Sequence, residues 1–195
     1  MKMTVSIILE DVNNFPGILT ASSSLGTVLD AVEEAGMAGS HPDTTGDFTG
    51  TITASNVYGV ANYGSTYTYG NETLGYAVEI TGNIFYYNLW VDGVISGATN
   101  HTVYGEITGI TISNSLADFD DDALLSFTFS PGDLTSDLLD GQNTDVHNII
   151  WDLMNGSTDA LQSVLVNNYN IDLTDSVADL VANSPFSEEV LLLAA

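Results

Sequence analysis

The chain contains no cysteine and no arginine, and Lys2 is its one permanently basic side chain. Without cysteine there are no disulfides, zinc–thiolate sites or iron–sulfur clusters, and cysteine usage carries no redox-compartment signal. Against the single lysine stand 26 Asp and Glu, giving a formal charge of -25 over 195 residues. A field of that sign repels nucleic acid and anionic membrane surfaces, so neither is expected as a partner. It favours solubility and suits release into a saline medium, where screening weakens self-repulsion. Long apolar runs are also missing. The stretch Val5 to Leu9 is cut short by Glu10 and Asp11, and it reads as neither a secretory signal nor a membrane anchor. There is no internal repeat and no heptad array, and no Ser-His-Asp order or carboxylate pair on a common element stands out as a catalytic constellation, so an enzyme is not expected. Asp118-Phe119-Asp120-Asp121-Asp122 lacks the glycine and distal glutamate of a calcium loop and reads as a solvated acidic turn.

What the chain does have is tyrosine beside histidine. Gly82-Asn83-Ile84-Phe85-Tyr86-Tyr87-Asn88-Leu89-Trp90 is followed across a short loop by Asn100-His101-Thr102-Val103-Tyr104-Gly105. A hairpin of these two segments brings phenol and imidazole into contact range. A phenol beside an imidazole can become a phenolate, a hard anionic ligand suited to ferric iron. Of the other two histidines, His41 lies in the polar loop Gly39 to Gly46, where a plain solvated side chain is the simplest reading. His147 lies in Asp145 to Met154 and reads as a helix-face residue packing locally.

Around these residues the pattern predicts a single domain with a substantial core. Residues 20–38 read as a helix, with Ser22, Ser23 and Ser24 offering an N-cap and Leu25, Val28, Leu29 and Val32 at helical spacing. From Phe48 to Ile112 the composition turns to Thr, Tyr, Val and Ile punctuated by glycine, the mark of short antiparallel strands and hairpins. Glu106 to Ile112 is expected to alternate between a wet and a packed face, and Leu124 to Phe129 to add one more strand. Beyond Pro131 come helices: one capped by Thr144 or Asp145 with Val146, Ile149, Ile150, Leu153 and Met154 on its apolar face, one from Ser157-Thr158-Asp159, and a short one around Val177 to Val181. Helices at both ends of a central run of strands imply an α+β sandwich.

The chain resembles haemophores of the haem acquisition system protein A (HasA) family. Three parts carry the resemblance: Gly82-Asn83-Ile84 to Tyr86 with His101-Thr102-Val103-Tyr104-Gly105, the run from Val146 to Leu161, and the Leu192-Leu193-Ala194-Ala195 terminus. The fold so implied is a curved antiparallel β-sheet packed on one face by several α-helices. Residues 1–186 would form one haem-binding domain. Residues 187–195, otherwise a last apolar turn, would be an uncleaved C-terminal signal for a type I secretion ABC transporter. The implied protein is secreted, takes ferric haem b from haemoproteins, and delivers it to an outer-membrane TonB-dependent haemophore receptor. Carried over, His41 matches the loop ligand of the iron and His101 the histidine that hydrogen-bonds the tyrosine ligand. Matching the Gly-Asn-Ile start makes the ligand Tyr86, and matching the Tyr-x-Leu-aromatic end makes it Tyr87. Tyr86 shares a strand face with Val78, Ile80 and Ile84 and is favoured. Trp151 and Met154 match positions that line the haem.

Two departures from the family stand out: an apparent insertion, Val91 to Gly97, before His101, and a shorter loop after His41. In the implied site iron favours the phenolate, His101 supports it from behind, and acid is expected to release the haem. No cation stands by for the propionates, which are expected to face solvent. The competing reading is an acidic secreted module that binds protein or calcium on a haemophore-like fold with a degenerate haem site.

Overall fold

Alternation of buried and less buried residues organises the sheet: Tyr67 and Tyr69 on one strand, and Tyr76, Val78 and Ile80 on the next, all lie at or below 4% exposure. The structure, a computed structural model, describes residues 4–11, 19–36, 47–49, 54–56, 59–71, 76–88, 90–91, 94–95, 101–114 and 123–183. In chain order the elements are β1 (Val5–Leu9), α1 (Leu25–Gly36), β2 (Asp47–Thr49), β3 (Ala54–Asn56), β4 (Gly59–Asn71), β5 (Tyr76–Asn88), β6 (Trp90–Val91), β7 (Val94–Ile95), β8 (Thr102–Ser113), β9 (Ala123–Phe129), β10 (Thr135–Ser136), α2 (Asp145–Met154), α3 (Asp159–Tyr169) and α4 (Val177–Ala182).

The main sheet runs β1-β9-β8-β5-β4-β2, with antiparallel neighbours throughout. β3 shares the outer edge of β4 with β2, and β10 pairs with β8. β6 and β7 form a separate two-stranded ribbon. That ribbon falls on the segment that the sequence marks as an insertion. The amino-terminal end is a strand and not a helix, because the apolar run Val5–Leu9 pairs with β9, Val5 opposite Phe129. The expected alternation of Glu106 to Ile112 is also broken. Thr81 pairs with Gly109 and Gly82 with Ile107, so Thr108 bulges out and Ile107, Ile110 and Ile112 all face the core.

The helices cover one face with a single apolar core. Val28, Leu29 and Val32 of α1, Val146, Ile149, Ile150 and Leu153 of α2, and Leu161, Val164 and Leu165 of α3 bury against Ile80, Ile84, Ile107 and Phe127. Their ends are tied by side chains. Ser24 Oγ accepts from Thr27 N–H, Thr144 Oγ1 from His147 N–H, and Ser176 Oγ from Asp179 N–H. For α3 the cap comes from another helix. Glu33 accepts from the Thr158 backbone N–H at 2.6 Å and from its hydroxyl at 2.8 Å, a carboxylate placed at the positive end of the helix dipole. At the other end of α2, two carbonyls of the last turn accept phenol protons from the sheet, Tyr76 to Leu153 O and Tyr69 to Met154 O, both at 2.7 Å.

Glu33→Ala removes the acceptor of the Thr158 N–H and hydroxyl just before α3, and is expected to lower unfolding free energy by about 1–2 kcal/mol. Urea denaturation measures this, with Glu33→Gln losing less because one acceptor oxygen remains. A second expectation concerns alkali. Burial first, and then the neighbouring Asp133 and Asp145, push Tyr169 up to about 12; burial raises Tyr69 and Tyr76 further still. The same phenols ionise near pH 10 (about) in the unfolded chain. Their protonated forms are thus favoured by folding: stability holds up to that pH and falls as pH rises above it. Urea midpoints measured across this range should drop together with the appearance of tyrosinate absorbance.

Candidate functional site

The site is built on the pairing of β5 with β8. Tyr86 lies opposite Val103 and Tyr87 opposite Thr102, so alternation puts His101, Val103 and Tyr86 on one face. Two glycines let the strands come this close. A Cβ on Gly82 (φ 150°) would stand 2.0 Å from the Glu106 carbonyl oxygen, and one on Gly105 (φ 118°) 2.0 Å from that of Asn83. His101, immediately before β8, has a φ of 55°, a left-handed turn that swings the chain into the strand.

Across this pairing the Tyr86 hydroxyl lies 2.5 Å from His101 Nδ1, with ring centroids 6.0 Å apart and planes inclined by 45°. Burial pushes the Tyr86 phenol above its ordinary range. The imidazole alone therefore does not ionise it. With the phenol protonated, it can donate to an unprotonated Nδ1 at this distance. Tyr87 points the other way. It shares the opposite face with Phe85, which stacks on Tyr104 at 5.1 Å. There burial, and next Tyr87 itself, raise the Tyr104 phenol. The structure thus brings Tyr86, and not Tyr87, to His101.

Of the helical residues named from sequence, Trp151 lies 47% exposed, its ring parallel to His147 within 13° at 6.1 Å. Met154 is turned toward β4, where its sulfur accepts the Tyr67 hydroxyl at 3.3 Å. His41 and residues 184–195, which include the expected export signal, lie outside the described residues, as does the acidic turn 118–122. His147 does pack locally, on Trp151. Sequence reasoning missed its second contact: Nδ1 accepts the backbone N–H of Val103 at 3.1 Å, 44 residues away in the chain. Burial, and then His101 nearby, hold His147 below the usual imidazole range, so it is neutral.

No family model matches the sequence, and no curated protein is similar to it. The fold is similar to known structures. The holo hemophore HasA from Yersinia pestis superposes with a TM-score of 0.61 at 17% identity, covering 90% of this chain and 95% of that one. An apo form of the same hemophore gives 0.60 at 18%, covering 90% and 94%. The likeness is one of fold: this is a HasA-like α+β architecture.

Gly105→Ala should disturb the site through the backbone. A methyl at 2.0 Å from the Asn83 oxygen, on a left-handed φ, is expected to destabilise the fold by about 1–3 kcal/mol or more. Chemical denaturation measures the loss. The Tyr86 and His101 resonances should shift in the same variant while those of α3 stay in place.

Proposed function

We propose that this protein is a secreted haem-binding protein, a haemophore, which holds ferric haem b through the Tyr86 phenolate with His101 behind it. The observation that carries this reading is the 2.5 Å contact of Tyr86 with His101 Nδ1 at the edge of a HasA-like fold. The donor set fits the group. Among the described residues no cluster of three or more His, Asp or Glu is placed to hold a bare metal ion. One phenol oxygen suits a metal that arrives with its own in-plane donors, and a phenolate is a hard ligand matched to the ferric state.

Ferric haem, when bound, supplies the Lewis acid that stabilises the phenolate. The rest is done by the chain. The phenolic proton passes along the existing hydrogen bond to His101 Nδ1, and the same contact then runs in the opposite sense, Nδ1–H donating to the phenolate oxygen. Trp151 offers a broad half-exposed ring for the porphyrin, with Met154 one turn further along α2. His41 is proposed as the second iron ligand. Delivery to an outer-membrane TonB-dependent receptor, capture from haemoproteins, and export by a type I ABC transporter through residues 187–195 complete the proposal. The formal charge of -25 with one lysine means that haem propionates meet no cationic clamp, so affinity depends on ligation and apolar contact.

Hemin titration of the purified protein tests this. Saturation at one haem per chain is expected, with a phenolate-to-iron charge-transfer band that disappears in Tyr86→Phe and persists in Tyr87→Phe. His101→Ala should weaken binding by about 10- to 100-fold. His41→Ala should convert the spectrum to that of a site with one protein ligand. A wild-type protein with no saturable spectrum would leave the acidic protein-binding module as the better description.

A further inference from the structure

Val103 pairs with Tyr86 on one side through β5, but its own N–H faces the other side of β8. There the sheet has run out: β9 pairs with β8 from Gly109 to Ser113, and β10 only at Gly105 and Glu106. Val103 is buried, 8% exposed, so this amide would be an orphaned donor in the core. His147 of α2 supplies the missing acceptor through Nδ1 at 3.1 Å. Because a backbone N–H donates to it, that nitrogen carries no proton, and the ring is the Nε2–H tautomer. The imidazole is itself held. It is 6% exposed, is stacked on Trp151, and sits on a helix whose N-terminus Thr144 caps through His147 N–H.

We propose that His147 is a positioning residue for the Tyr86–His101 pair: by taking the Val103 amide it fixes the unsupported end of β8 and sets how His101 meets the Tyr86 phenol. Val103 stands directly opposite Tyr86 and two residues from His101, so any slack in its backbone is passed to both partners of the hydrogen bond. His147 makes this fixing a property of α2, the helix that also carries Trp151. At this end of β8 sheet and helix are thereby tied by the Val103–His147 hydrogen bond, while Tyr69 and Tyr76 tie the far end of α2 to the sheet. The effect on haem ligation rests on the function proposed above; the effect on the Tyr86–His101 contact does not.

The test uses the full chain with His147→Leu, which removes the acceptor while keeping bulk, and His147→Asn, whose side-chain oxygen takes the place of Nδ1. In the protein without hemin, the nitrogen chemical shift of His101 Nδ1 reports its hydrogen bond to Tyr86. It should move in His147→Leu and return in His147→Asn. With hemin, His147→Leu should lose about 10-fold in affinity and shift the charge-transfer band, with both restored in His147→Asn. A folded His147→Leu with unchanged His101 Nδ1 shift overturns the proposal, since a purely structural histidine would lower the unfolding midpoint and leave that shift alone. Should His147→Leu fail to fold, His147→Gln, with its acceptor set one bond further out, is read by the same shift: an unmoved signal is equally fatal. Wild-type protein that takes up no hemin would count against the haemophore reading, while the shift of His101 still decides the role of His147.

Discussion

Tyr86 meets His101 because β5 pairs with β8 in the register that sets Tyr86 opposite Val103, held by a backbone at Gly82 and Gly105 that only glycine can adopt. Gly82 and Gly105 face each other's strand with carbonyl oxygens where a Cβ would otherwise stand. The extra residue at Thr108 lets β8 change which of its residues face the core, at the level where β5 itself shifts register against β4. Below the bulge, Ile110 and Ile112 point inward; above it, Ile107, Val103 and His101 do. The bulge therefore delivers the imidazole to the helix-covered face, where the phenol and the α2 rings are. A straight strand would place one of these sets in the core and the other in solvent.

The chain builds this with almost no positive charge, and it puts its carboxylates to a particular use. Glu33 caps α3 from α1, Asp152 accepts the Ala160 N–H at 3.0 Å, and Asp172 and Asp179 bind local hydroxyls and amides. Acids at helix starts and turns meet the positive end of backbone dipoles, where lysines and arginines would otherwise be needed to neutralise them. At the C-terminal end of α2 the sheet tyrosines donate to the last-turn carbonyls in place of basic side chains. A protein so acidic is thereby held by backbone electrostatics and apolar burial.

The helices were legible from sequence because their signals are local: apolar period, with Ser24 and Thr144 as caps. That Tyr86 shares a face with Val78, Ile80 and Ile84 was legible as well, since burial along β5 keeps its period of two even where its register against β4 shifts. Counting along β8 fails because of the bulge at Thr108. What no local pattern carries is pairing across distance. Val5–Leu9 becomes a strand only because β9 presents an open edge more than a hundred residues later, and Glu33 becomes a cap only once α1 lies beside the start of α3. His147 belongs to the same class. Its spacing to Trp151 is visible in the sequence, but its task depends on where β9 and β10 happen to end.

Burial of the Tyr86 phenol has a consequence for what the site can hold. Raising the phenol discourages the phenolate in the free protein, so a negative charge does not sit in a half-apolar setting without a partner. In the haem site proposed for this protein, ferric iron would offset that cost, and His101 Nδ1, within hydrogen-bond distance, would give the phenolic proton somewhere to go.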